Sequence, residues 1–126
     1  MPNCVLRATG DDFNPDNFLR HSYFAPCNIF HKGEHRSATS IWNNSGITID
    51  VSWKSDFAQQ VEDAIDFLKT HDAELRRLGK FAGVGQMNLD FGLNAKNNFV
   101  QSFCFSSKLI SLANDLELTL EISVYS

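Results

Sequence analysis

Cys27, His31 and His35 recur at intervals of four in the stretch CNIFHKGEHR, with Glu34 beside the second histidine. A thiolate and two imidazoles are ligands that zinc accepts, and His21 or Glu34 is the nearest fourth group for a tetrahedral shell. Structural zinc sites, however, usually open with paired ligands a few residues apart on a tight knuckle, and this chain has no second cysteine pair. Lys32-Gly33-Glu34 reads instead as a turn, which leaves both histidines in solvent around it. The turn is the expectation and no cofactor is assigned. The alternative is a metal sensor or metal-assisted enzyme that uses Cys27, His31 and His35.

Other reactive groups fit catalysis less well. Cys4 and Cys104 lie in apolar, strand-like segments, where a buried thiol is inert. Gly83-Val84-Gly85 lacks the lysine and hydroxyl of a phosphate loop and precedes a strand rather than a helix, so it reads as a flexible turn. Glu62 and Asp66 share a helix face, but no apolar pocket is in view to raise either pKa. No catalytic residue is assigned. The acids suggest recognition: Asp56 to Glu74 holds six acids and one base, a local imbalance of -5 against -4 for the whole chain. Such a field steers a basic partner, with Asp56, Glu62, Asp63 and Asp66 as the expected contact residues.

Composition narrows the partner further. Fifteen acids against eleven bases leave no basic stripe for a phosphate backbone, so nucleic acid is not an expected partner. No run approaches the roughly 18 apolar residues of a membrane span, and the first residues lack a signal-like pattern, which predicts a soluble, cytoplasmic protein. Three scattered cysteines argue against a disulfide framework. With 43% apolar residues and eleven phenylalanines, 126 residues suffice for one domain, 1–126, with its own core.

The elements that must position these groups follow from periodicity. Cys4 to Thr9 predicts a strand. Asn14-Pro15-Asp16 predicts a helix start, because Asn caps, Pro suits the first helical position and Asp favours the positive end. Arg36 to Trp42 is expected to be a weak strand, paired through a turn at Asn43 to Gly46 with an alternating strand that buries Ile47, Ile49, Val51 and Trp53. From Asp56 the period becomes helical through Phe57, Val61, Ala64, Ile65 and Leu68. A kink or new cap is expected at Thr70 to Asp72, with an end at Gly79. Met87 to Leu93 predicts a strand and Asn94 to Asn98 a loop. Phe99 to Phe105 is an apolar piece, and Ser106-Ser107 predicts a cap for a helix carrying Leu109, Ile110 and Leu112. Leu116, Leu118, Leu120, Ile122 and Val124 predict a final strand.

The order β-α-β-β-α-β-α-β, built from alternating strands, predicts an α+β two-layer sandwich. Its sheet is mostly antiparallel, with two to three helices packed on one face. Leu6-Arg-Ala-Thr-Gly-Asp-Asp-Phe-Asn-Pro-Asp-Asn-Phe-Leu19, Lys32-Gly33-Glu34, Trp42, the Phe57 to Leu78 helical stretch and the closing strand to Tyr125 resemble the bacterial family called domain of unknown function 4279. The resemblance implies a small α+β domain, at times found near toxin and immunity genes, and no enzymatic residue to carry over. Related chains are more acidic around the terminal tyrosine, where this one has Ser123 and Ser126. The expected function is therefore a non-enzymatic, immunity-like protein that binds and neutralises a basic toxin domain. A housekeeping domain that forms a homodimer through an uncovered sheet edge is the further alternative.

Overall fold

The computed structural model describes residues 2–96 and 101–126. Five strands and four helices alternate along it: β1 (Cys4–Gly10), α1 (Pro15–Leu19), β2 (Asn28–Phe30), β3 (Ser45–Ser52), α2 (Phe57–Thr70), α3 (Asp72–Gly79), β4 (Gln86–Asn94), α4 (Ser107–Asp115) and β5 (Thr119–Tyr125). The strands form one sheet in the order β2-β3-β1-β4-β5, antiparallel at every pairing except β4 with β5. A parallel neighbour requires a crossover, and α4 provides it. The predicted α+β class and its mostly antiparallel sheet are what the chain adopts.

Alternation divides the sheet into two faces. Cys4, Leu6 and Ala8 of β1 align with Phe91, Leu89 and Met87 of β4, and all are buried under the helices. Val61, Ala64 and Leu68 of α2, Leu75 and Leu78 of α3, and Leu109 and Ala113 of α4 close the core from above. The intervening residues Val5, Arg7 and Thr9 align with Asp90, Asn88 and Gln86 on the opposite face. Three of the four helix starts use a side-chain cap: Asn14 accepts from Asn17 N, Asp56 from Gln59 N and Ser106 from Leu109 N. The expected break falls at His71, which separates α2 from α3 without a side-chain cap and makes four helices where two to three were expected.

Three expectations are corrected. First, Arg36 to Trp42 is not a strand. The β3 partner is Asn28–Phe30, and residues 31–44 form an excursion with a single bridge, His35 to Ile41. Phe30 fits there because its ring packs against Gly46, where an added Cβ would come within 2.5 Å of the ring. Ser45 and Gly46, expected in a turn, already belong to β3.

Second, Trp53 is 76% exposed. The β1–β3 register jumps between Val5–Asp50 and Cys4–Ser52, so Val51 is an extra residue. Such a bulge reverses the alternation after it and turns Ser52 toward α2, leaving Trp53 in solvent. Third, the closing strand begins at Thr119, and its Ile122 and Val124 are 38% and 59% exposed rather than buried. Leu116 belongs to the end of α4, and Glu117 follows with φ of +56°. The predicted apolar piece 99–105 falls partly outside the described residues. Its described part has no regular structure, although Phe105 packs on Phe57 and Phe91.

The α4 end is a left-handed cap: Glu117 N donates to Asn114 O and Leu118 N to Ala113 O. A side chain in that conformation costs roughly 1 kcal/mol that glycine avoids. Glu117→Gly is expected to stabilise the fold by about that amount, read as a higher urea midpoint at unchanged slope.

Candidate functional site

The sheet face opposite the helices carries a shallow trough of about 570 Å³, whose walls include Arg7, Phe30, Arg36, Trp42, Asp90 and Tyr125. Its floor follows from the strand register, because every second residue of β1, β3, β4 and β5 must point this way. Arg7 from the central strand donates to Asp90 Oδ2 of β4 at 2.9 Å. Ser123 of β5 donates to the other carboxylate oxygen at 2.8 Å. Asp90 is almost completely buried, so the two bonds fix a carboxylate that would be costly to leave unpaired. Asn88 donates to Glu121 beside them.

One end of the trough is an aromatic shelf. Phe30 and Trp42 stack with centroids 4.0 Å apart and planes 19° from parallel, and the Arg36 guanidinium lies 4.9 Å from the Trp42 centroid. The excursion holds Trp42 there through Gly33 N to Trp42 O and Trp42 N to Glu34 O, both 2.9 Å. At the other end, Tyr125 is half exposed and reaches over Gly92, where an added Cβ would meet its ring at 3.2 Å. Arginine, tryptophan and tyrosine are the residue types that dominate protein interfaces. Two cations and two anions, Arg7 and Arg36 with Asp90 and Glu121, leave the trough near electrical balance.

The residues singled out from the sequence lie elsewhere. Cys27 donates its thiol to Thr48 O at 3.4 Å, and burial together with Asp50 raises its pKa. His31 is gripped by Asp16 at Nε2 and Glu34 at Nδ1, each 2.6 Å away. With both ring nitrogens engaged on opposite edges, the imidazole has no free lone pair for a metal. Among the described residues, no three His, Cys, Asp or Glu side chains converge on a point where an ion could sit. Burial, followed by Asp90 and Asp63, pushes the Cys4 thiol up, while Cys104 is exposed rather than buried.

Most acids of the helical stretch are already employed. Asp56 caps α2, and Asp63 accepts from Ser52 at 2.6 Å with Lys54 at 3.8 Å. Asp72 pairs with Arg76 and Glu74 with Arg77, at 2.9 and 2.7 Å. Glu62 and Asp66 face solvent. Glu62 and Asp56 border a second groove of about 560 Å³, floored by Phe57, Val61, Ile65 and Phe103. The sequence reading missed Arg7, Asp90, Arg36 and Phe30. The available signal was polar residues set between core residues, Arg7 between Leu6 and Ala8, Asp90 between Leu89 and Phe91.

The His31 clamp ties the trough's excursion to α1. Hydrogen bonds that the ring donates to Asp16, then to Glu34, raise the His31 pKa above its usual 6.5. A raised folded pKa means that the tether is fully present below about pH 6.5 and is lost as pH climbs through the raised value. NMR titration is expected to place His31 above 6.5, and Glu34→Gln to lower it.

No helix among the described residues is long and apolar enough to cross a membrane. Comparison with curated proteins and with solved structures gives no match. One family model does match, over residues 2–126. The chain thus belongs to the family described as Domain of unknown function (DUF4279).

Proposed function

We propose that the protein is a non-enzymatic binding module, an immunity-like protein that neutralises a toxin by covering its active surface with the open sheet face. One observation carries this reading: the trough joins a stacked Phe30–Trp42 shelf, Tyr125 and two arginines over one face of the sheet, the composition of an interface centre. Strands hold Arg7, Phe30 and Tyr125 in place and the excursion's main-chain hydrogen bonds hold Trp42, so little order has to be acquired on binding. The bound Asp90 prefers partner groups that extend its network over groups that would strip it.

A second reading keeps the partner on α2. It is favoured by the groove in which Asp56 and Glu62 border an apolar floor, which suits a basic and apolar segment of the same kind of toxin. The two surfaces lie on opposite sides of the sandwich and make different demands on mutants.

Affinity capture from the native cell, with the wild type and two double variants as bait, separates them. A true partner is expected to bind Trp42→Ala/Tyr125→Ala at least 30-fold more weakly, about 2 kcal/mol, and to bind Glu62→Lys/Asp66→Lys much as it binds the wild type. Co-expression of the captured protein is expected to arrest growth, and the wild-type chain to relieve the arrest. A partner sensitive only to the α2 variant transfers the function to that groove.

A further inference from the structure

We propose that β5 is the seam of a homodimer, in which two copies pair their β5 strands antiparallel about a two-fold axis and continue one sheet through both molecules. This inference does not rest on the toxin reading: β5 lends Glu121, Ser123 and Tyr125 to the trough, whereas the seam uses the free main-chain edge of the same strand.

β5 is an edge, since it pairs only with β4. Its main-chain directions can be assigned. Ala95 N donates to Tyr125 O, so the carbonyl of Tyr125 points inward to β4. By alternation, Ser123, Glu121 and Thr119 also point inward, and Leu120, Ile122 and Val124 turn their N–H and C=O groups outward. Among the described residues these groups have no main-chain partner. Edges of this kind are normally blunted by lysine, proline, a bulge or brevity. β5 is seven residues long, TLEISVY, with none of these and a single charge, Glu121.

Exposure points to the same edge. Of the nine exposed large apolar side chains among the described residues, Ile122, Val124 and Tyr125 lie on β5 and Ile110 on α4, the helix that leads into it. The other edge, β2, has three residues, of which Ile29 alone is a large exposed apolar side chain.

A second copy fits because the strand complements itself in one register. Centred on Ile122, it sets Ile122 opposite its own copy, Leu120 opposite Val124, Glu121 opposite Ser123 and Thr119 opposite Tyr125. The apolar stripe then runs unbroken across the seam, and each Glu121 faces a hydroxyl instead of another carboxylate. A register centred on Glu121 would set like charges opposite each other. The three outward-pointing residues of each copy supply roughly six inter-strand hydrogen bonds. One strand pair covers less than the roughly 1,600 Å² of a standard interface, so the dimer is expected to dissociate at micromolar concentrations.

Sedimentation velocity of the full chain from about 10 µM to about 1 mM is expected to show monomer passing to dimer. Ile122→Lys, which sets two cations face to face, is expected to weaken the dimer at least tenfold with an unchanged circular dichroism spectrum. The register is tested separately in a Cys27→Ser/Cys104→Ser background with glutathione disulfide as oxidant. Ile122→Cys is expected to cross-link, because facing hydrogen-bonded residues have Cα atoms about 5.5 Å apart, within disulfide range. Val124→Cys is not, because its copies would be roughly 13 Å apart. A monomer at every concentration, a dimer indifferent to Ile122→Lys, or equal cross-linking at positions 122 and 124 overturns the proposal.

Discussion

Replacing Arg7 by methionine is expected to cost the fold about 3 kcal/mol, the range for breaking a buried ion pair, discounted because Arg7 is partly exposed. The cost arises at Asp90, whose carboxylate stays almost fully buried with only the Ser123 hydroxyl to answer it. The midpoint of thermal unfolding should fall by roughly 10 to 15 °C for a domain of this size. Removing both charges is expected to hurt less than removing one. In Arg7→Met/Asp90→Leu no buried charge is left, and urea titrations of the four proteins should give a coupling of about 2 kcal/mol. Additive losses would mean that Arg7 and Asp90 act separately and that the trough floor is not a fixed network.

Gly83→Ala is expected to have a still larger effect, roughly 4 kcal/mol or more, enough to deplete soluble protein in cells. Gly83 has φ of +89°, and a Cβ there would come within 2.3 Å of Asp12 O. The obstacle is main chain, so no rotamer change can relieve it. Gly10, on the other side of the same contact, would set a Cβ 1.8 Å from Gly83 O, and Gly10→Ala should behave alike. Gly33 supplies the control: it has the same φ of +89° but nothing within 4 Å. Gly33→Ala is expected to cost only about 1 kcal/mol, the conformational part alone. Equal losses at Gly33 and Gly83 would contradict the crowding argument.

These glycines also mark where the sequence stopped being informative. Gly83-Val84-Gly85 was legible as a turn from composition, but nothing local reveals that Gly85 N donates to Thr9 O and locks the turn against β1. Strands β1 and β4 and helix α2 were legible because their periods extend over several residues with clear caps. β2 was not, since three residues make no period and its place depends on Phe30 finding Gly46. The bulge at Val51 was equally hidden: it exists only relative to β1, yet it decides that Trp53 is outside.

The site was less legible than the fold for a related reason. Arg7 and Asp90 are 83 residues apart, and only the β1–β4 register makes them neighbours. Trp42 and Tyr125 were visible as aromatic residues, but which side of the sheet they occupy depends on an excursion and a parallel crossover. The acidic stretch, by contrast, was conspicuous in sequence because partners elsewhere do not register in a local count. Arg76, Arg77, Lys54 and the Gln59 amide take up four of its six acids.

The open face is the central claim, and a backbone chemical-shift map of the labelled chain titrated with its captured partner tests it most directly. The account predicts shifts at Arg7, Asn28, Trp42, Asp90, Glu121 and Ser123, with the amides of residues 56–66 still. Shifts confined to 56–66, with the trough residues unmoved, would contradict it.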